Sequence, residues 1–573
     1  MVIFNFLQNL MEGIPSELMI LTEIGIIIIV ATFFAFLVKI FRQPLIPAYI
    51  LTGIFIGPLV LGLIKDYSFI ISLSQIGVAF LIFKAGIEIK FKKLREVGMV
   101  SIIGGIIQII ALFLIAFLVS IWLGFTGKIP IYISLVVAFS STMIVVAILA
   151  QKNELNSLHG RIIIGILLIQ DIAAIIALAI LSSDFSLTSI STVLGKALLF
   201  GIFAFILSKT ANSFFSKAAD NRELLLLVSI SFLFLFVIGS FIADLSLVIG
   251  AFFAGVVLAN SDYKTEIQSN INSLGEFFSV IFFVALGMQL KFISGKFISL
   301  ILILLCLVII IKPLVTMFIV RLAGYKKRTA FLTGNALAQT SEFSFVIVLL
   351  GFSLGHINSE LFSTLILLTI LTMSITTYLI VYERKLVNWF SWPLSILDNI
   401  KSRKEELEYF EPDYKKIIIF GCHRIGSLIL KEFEKNKKEL LVVDYNPEII
   451  KALINKKISC LYGDFIHEEI LNKVNLKNAE IVISTVPDFE DNMHLIRKMD
   501  KLNKETIVVV IASRISEALD LYKQGADFVI LPKFIGGEIA SSIISKARKN
   551  KEWLKEIKKD HKKRLESAHY LLY

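Results

Sequence analysis

The run Arg161–Leu181 reads RIIIGILLIQDIAAIIALAIL, an apolar stretch interrupted at its centre by Gln170-Asp171. About twenty such residues span a bilayer core. A carboxylate at the middle of a membrane helix costs roughly 2.5–3.5 kcal/mol on insertion scales, so its default reading is a proton or cation site. The stretch therefore points to a polytopic helical membrane protein that moves ions through a midplane Gln-Asp site.

Composition agrees. Of 573 residues, 56% are hydrophobic, only 18% are charged, 47 are Phe, and the mean hydropathy is +0.81. From about Leu18 to Val381 the apolar residues fall in bilayer-length runs, and beyond Lys385 the chain turns charged and mixed, which marks a domain boundary. The spans read as about thirteen, near 18–40, 45–64, 68–89, 99–124, 130–150, 161–182, 191–208, 223–242, 245–260, 274–290, 298–320, 329–352 and 360–382. The first lacks a basic leader and a small-residue cleavage site and reads as a retained helix. Lys and Arg crowd alternate connections, such as Lys90–Arg95 and Arg321–Arg328, while the opposite loops carry few, such as Lys65 and Lys128. By the positive-inside rule the N-terminus lies outside and the polar C-terminal part in the cytosol, in the inner (cytoplasmic) membrane. The net charge of +11 is then mostly a topology signal, and no nucleic-acid partner is implied. Cys306, Cys422 and Cys460 are too far apart for a disulfide framework or a metal site.

Three more polar interruptions lie deep in the membrane: Ser140-Ser141-Thr142, Lys312-Pro313 and Gln339-Thr340-Ser341-Glu342. Lys312 lies about 13 Å along the helix from Arg321, roughly at the midplane, and Pro313 is expected to kink its helix. The fifth and twelfth spans carry similar breaks and cross in opposite senses, which is the logic of inverted repeats whose broken helices meet at the ion site. Packing is the plain alternative for the Ser-Ser-Thr cluster, and a structural ion pair the plain alternative for Asp171 with Lys312. A Lys partner would compete with a cation for the carboxylate.

Arg42-Gln43-Pro44 with Gly53 and Gly57-Pro58, Phe83…Gly86…Glu88, Ser140-Ser141-Thr142, Gln170-Asp171, Gly250–Gly255, Phe282-Phe283…Gly287-Met288 and Glu342-Phe343 together resemble the monovalent cation:proton antiporter-2 family, and the Gln-Asp pair its Kef-type potassium efflux branch. The resemblance covers nearly the whole membrane region. It implies an antiporter fold with a dimerisation part and a mobile core part, a homodimer, and elevator-like alternating access. It makes Asp171 the carrier, Gln170 a neighbouring ligand, Lys312 the charge partner and Ser141 and Thr142 crossover residues, with Glu342 beside them. The chain departs from the family in Lys84, usually apolar and here placed near the inner face, and in Thr340-Ser341, where Gly-Gly is common. Glutathione-gated Kef proteins carry an acidic loop between spans nine and ten; here the stretch is Thr265–Ser273 (TEIQSNINS), where three acids become amides while Glu266 adds one, which implies weak or absent glutathione gating.

After a basic linker, Lys415–Phe420 reads as a buried strand, followed by Gly421-Cys422-His423-Arg424-Ile425-Gly426, a helix, and the strand Leu440–Val443 ending at Asp444. Strand, glycine turn, helix, strand and acid in that order form a dinucleotide-type βαβ fingerprint, with phosphate at the helix N-terminus and the acid on ribose. His423 replaces the middle glycine, which favours a mononucleotide or a shifted pose. An empty nucleotide-like fold is the plain alternative. Further strands near 458–462, 480–484, 507–512 and 527–531 complete a parallel sheet. The unit resembles the regulator-of-potassium-conductance (RCK, TrkA-N) domain. That likeness implies an adenine nucleotide, AMP or NAD(H), lined by Gly421, His423, Gly426, Asp444, Asp464 and Thr485, and leaves room for an ancillary regulatory subunit. The division expected is 1–388 membrane exchanger, 389–413 linker, 414–545 RCK N-domain and 546–573 basic helical tail.

The seven His are scattered and no catalytic constellation exists, so the chain reads as a transporter, not an enzyme. Cys422 beside Arg424 would be a reactive thiol only if exposed. The reading is a K⁺/H⁺ antiporter regulated by nucleotide, with Na⁺/H⁺ exchange as its variant. An RCK-gated potassium channel is disfavoured by the lack of a TVGYG-like filter.

Overall fold

In lipid a backbone must satisfy its own hydrogen bonds, so the apolar runs become helices. The computed structural model describes residues 15–41, 43–64, 67–88, 99–152, 154–155, 157–183, 185–218, 221–259, 261–389, 408–409, 415–433, 437–463, 465, 468–549 and 551–572. The chain divides into two units, one ending at residue 402 and one running from residue 403.

Among the described residues of the first unit, ten helices are long and apolar enough to cross a membrane, and the shorter apolar helices Ile46–Ile56, Leu247–Ala259 and Glu342–Ser353 fill the remaining places read from the sequence. In chain order they are α1 (Ser16–Ile40), α2 (Ile46–Ile56), α3 (Tyr67–Glu88), α4 (Met99–Trp122), the halves α5 (Ile129–Ala138) and α6 (Thr142–Gln151), α7 (Leu158–Leu181), α8 (Leu187–Ala218), α9 (Arg222–Ile242), α10 (Leu247–Ala259) and α11 (Lys264–Met288). There follow α12 (Gly295–Cys306), a π-turn over Leu307–Ile311, α13 (Lys312–Leu322), the halves α14 (Lys327–Ala336) and α15 (Glu342–Ser353), α16 (Ser359–Val381) and the short α17 (Glu383–Trp389). The breaks at 139–141 and 337–341 fall where the polar clusters predict them.

Several bounds differ from the expectation. The second span stops at Ile56, because Gly57 takes an extended conformation just before Pro58. Helix α11 starts at Lys264, so Thr265–Ser273 is its first turns and not a loop, and Asn270 accepts from Arg222 Nε at 2.7 Å. Pro313 brings a π-turn that ends two residues upstream, since a proline cannot supply the missing N–H.

Helices α2 and α3 pack on α11 and α10, whereas α4 packs on α5 and α13, α14 on α13, and α15 on α5 and α16. The three spans from α4 to α7 and the three from α12 to α16 each place a broken helix second. Lipid-facing surfaces carry large apolar side chains such as Leu198 and Phe241, exposed at 67% and 82%.

In the second unit, seven strands lie in the order β1-β4-β3-β2-β5-β6-β7: β1 (Glu408–Tyr409), β2 (Ile417–Phe420), β3 (Leu440–Asp444), β4 (Cys460–Tyr462), β5 (Ile481–Ser484), β6 (Ile507–Ile511) and β7 (Phe528–Ile530). All pairs are parallel except β1 with β4. Strand β1 lies in the stretch expected to be linker. Alternation buries both faces: Ile418 and Phe420 join one core cluster, Ile417 and Ile419 the other. The crossover helices are α18 (Arg424–Glu432), α19 (Pro447–Asn455), α20 (Glu468–Val474), α21 (Phe489–Leu502) and α22 (Ile515–Gln524). Helix α23 (Pro532–Lys549) runs past the expected boundary at 545, and α24 (Lys551–Leu572) forms the tail.

Candidate functional site

The two breaks bring four half-helix ends together, and each end meets a side chain of the charge its dipole favours. At the carbonyl ends, Lys312 Nζ donates to the carbonyl oxygens of Val137 at 2.9 Å, Phe139 at 2.7 Å and Gln339 at 2.7 Å. These three bonds use every hydrogen of the ammonium. At the amide end of α6, Thr142 Oγ1 donates to Asp171 Oδ2 at 2.9 Å, while the Met143 N–H approaches Glu342 Oε1 at 3.4 Å and the Ser141 hydroxyl hydrogen-bonds Glu342. Glu342 opens α15, where Ser341 and Ser344 form a capping box. Ser140 Oγ ties the breaks together by donating to the Leu337 carbonyl at 3.1 Å. Asp171 and Glu342 are buried and close enough to interact electrostatically, with Glu88 also acting on Asp171 and Lys84 on Glu342. Glu342 Oε2 and Gln339 Oε1 are buried without a hydrogen-bond partner among the described residues.

Asp171, Ser141, Thr142 and Glu342 thus come together as the sequence suggests, but two expected roles change. Lys312 is not paired with Asp171: no ion pair joins them, because the broken helices supply carbonyls that claim the ammonium first. Gln170 is not an open ligand either. Its Oε1 accepts from the Ser140 N–H at 2.9 Å and its Nε2 donates to Gln108 Oε1 at 3.1 Å, so both ends of the amide serve the scaffold. The second repeat does the same with a hydroxyl, where Thr372 Oγ1 accepts from the Thr340 N–H at 3.3 Å. Gln108 and Thr372 escape a reading of motifs. Their signals are a solitary amide in an apolar helix and a Ser/Thr stripe along α16 at helical spacing, including Thr369, Thr372 and Thr376.

In the second unit the cleft lies at the carboxyl ends of β2 and β5, where the strand order reverses. Gly421 has φ +83°, and a side chain at Gly426 would collide with the Gly421 carbonyl. Thr485 Oγ1 donates to that carbonyl at 2.8 Å, and exposed His423 precedes α18 without a side-chain hydrogen bond to its first turn. Asp444 ends β3 as expected, but its carboxylate accepts from the Cys422 N–H at 2.6 Å and the Asn446 N–H at 2.7 Å and so braces the glycine turn itself. Burial raises its pKa, and those two bonds oppose the rise. Cys422 is buried, its thiol pushed up to about 12 by burial and by Asp444, which removes it as a reactive thiol. Asp464 lies outside the described residues. Among the described residues no His, Cys, Asp and Glu group could hold a metal ion.

Comparison with known proteins gives two family matches: residues 26–381 match the transmembrane sodium/hydrogen exchanger model, and residues 417–532 match the TrkA-N domain. The K(+) efflux antiporter 4 of Arabidopsis thaliana is 30% identical over 396 residues, covering 65% of this chain and 67% of that protein. The putative cation/proton antiporter YbaL of Escherichia coli (strain K12) is 24% identical over 511 residues, covering 86% and 91%. The glutathione-regulated potassium-efflux system protein KefC of Cronobacter sakazakii (strain ATCC BAA-894) is 27% identical over 461 residues, covering 78% and 72%.

Proposed function

The chain belongs to the sodium/hydrogen exchanger family, as a multi-pass cation/proton antiporter of Kef type with a C-terminal TrkA-N domain, and from that premise we propose that it exchanges K⁺ for H⁺ at Asp171 under control of a nucleotide in that domain. The reading rests on one arrangement: Asp171 and Glu342 share the amide end of α6, with Thr142 and Ser141 as their hydroxyl partners. Two carboxylates that feel each other in a dry site are best served by one bound cation or one proton, and this either-or is what exchange needs. Glu342 Oε2, buried and unclaimed, offers the cation a second anionic oxygen. Lys312 keeps the opposing carbonyl ends neutralised throughout, so the carboxylates stay free to change partner.

With the thirteen spans read from the sequence and the TrkA-N domain in the cytosol, an outside N-terminus is the proposed orientation, and the inner membrane of the cell is the proposed location. Gly421, Gly426 and Thr485 shape a turn into which an adenine nucleotide's phosphate fits, with Asp444 beneath it. A homodimer is proposed as the working unit. The test is purified protein in liposomes holding a pH-sensitive dye, challenged with K⁺ and then with Na⁺. Proton flux driven by K⁺ supports the reading; flux driven by Na⁺ alone reassigns the cation, and cation flux without coupled protons makes the protein a channel.

A further inference from the structure

Gln108 stands midway along α4, the lone amide in MVSIIGGIIQIIALFLIAFLVSIW, and is fully buried. Its Nε2 donates to Thr316 Oγ1 at 2.6 Å, and its Oε1 accepts from Gln170 Nε2 at 3.1 Å. Thr316 Oγ1 in turn donates to the Lys312 carbonyl at 2.9 Å, and the Ser140 N–H donates to Gln170 Oε1 at 2.9 Å. The bonds run in series from an N–H that can only donate to a C=O that can only accept. Those ends fix the sense of every link, because turning either amide over would set two donors or two acceptors face to face. The series joins the break between α5 and α6, the helix that carries Asp171, and the turn that follows Lys312.

We propose that Gln108 is a positioning residue for cation exchange. It locks the Gln170 amide, and through it the Ser140-Ser141-Thr142 backbone from which Thr142 reaches Asp171, without meeting the cation itself. The assignment rests on Asp171 as the carrier. A residue that merely fills space between α4 and α7 would have no need of the amide's donor and acceptor, and a leucine would serve as well.

Glutamate at this position separates the two roles. A protonated carboxyl offers one donor and one acceptor and reproduces both bonds, whereas the ionised form only accepts and faces a Thr316 hydroxyl whose hydrogen is already committed. In full-length protein reconstituted in liposomes and assayed over a pH series, Gln108→Glu should match the unsubstituted protein at acid pH and fall at least about tenfold below it once the new carboxyl ionises. Gln108→Leu should raise the apparent KM for the cation about tenfold at every pH, the scale of losing two buried hydrogen bonds. Thr316→Val, which breaks the same series from α13, should move KM in the same direction and carries the test should Gln108→Leu not fold. An unchanged KM in Gln108→Leu or in Thr316→Val, or a Gln108→Glu profile parallel to that of the unsubstituted protein, overturns the proposal. Asp171→Asn in the same vesicles keeps the two readings apart: exchange that survives it removes the carrier, whereas exchange lost there with both Gln108 variants unaffected removes only the positioning role.

Discussion

Lys312 shows what a single residue contributes here. Its ammonium is fully buried, yet it satisfies three carbonyls that two broken helices leave without helical partners. Lys312→Met should therefore destabilise the protein, by about 1–3 kcal/mol for each buried carbonyl left without a donor, offset in part by no longer burying a charge, and thermal unfolding in detergent measures it. If Lys312 mainly competed for Asp171, the same change would also lower the cation KM, because the carboxylate would lose its competitor, whereas the carbonyl role leaves KM unchanged. Gln170-Asp171 is legible in the sequence because a charge amid apolar residues is costly wherever the helix sits. The division of labour between them is not, because Gln170 is engaged by Ser140 and by Gln108, thirty and sixty-two positions away in the chain. The same holds for Asp444: its spacing from the glycine turn reveals the fold, but only packing shows the carboxylate bracing that turn.

At the scale of elements, the helices meet through glycines. A Cβ on Gly53 would lie 2.8 Å from the Gly287 Cα, and one on Gly86 would lie 3.0 Å from the Gly255 Cα, so α2 crosses α11 and α3 crosses α10 at backbone contact. The motifs that hold these glycines are thus legible as motifs, while their purpose requires both partners. Gly255→Leu should force α3 and α10 apart, costing about 1–3 kcal/mol or more from overpacking, seen as a lower melting temperature. The outer ends of both broken helices are joined by His356, whose Nε2 lies 2.8 Å from Lys128 Nζ and whose Nδ1 lies 2.7 Å from Tyr132 Oη. Lys128 can only donate, so the imidazole is neutral with its hydrogen on Nδ1. Burial, and then Lys128, lower the His356 pKa. A histidine whose folded pKa is depressed takes its proton more readily when released, so this junction stabilises fully above the ordinary value of about 6.5 and weakens as pH falls through and below it. Acidification should therefore lower the melting temperature of the protein, and His356→Ala should melt lower at neutral pH and lose part of that acid sensitivity. At the other end of α6, Lys152 pairs with buried Glu383 just beyond α16.

For the whole molecule, the boundary between an apolar half and a charged half is plain in composition, and so are the strands of the TrkA-N unit, since each is a short apolar run bounded by turn residues. Strand β1 is not legible: two residues of mixed polarity form a strand only because β4 offers them an edge. If nucleotide controls exchange, Asp444→Ala in the full-length protein should weaken adenine nucleotide binding and also lower the unfolding temperature of this unit, because it removes both a ribose acceptor and two backbone hydrogen bonds worth about 1.5–3 kcal/mol each when charge-assisted; calorimetry with AMP and NAD(H) reads the first effect and thermal unfolding the second. Glutathione inside the vesicles should leave exchange unchanged, as α11 presents amides such as Asn270, already engaged by Arg222, where gated relatives are expected to present acids. The exchange reading depends on one carboxylate, and Asp171→Asn tests it most directly, because the amide keeps the shape and still accepts from Thr142 but cannot alternate between proton and cation. In liposomes with a pH-sensitive dye, the variant should fold, bind nucleotide as the unsubstituted protein does, and give no K⁺-driven proton flux; undiminished flux would contradict Asp171 as the carrier.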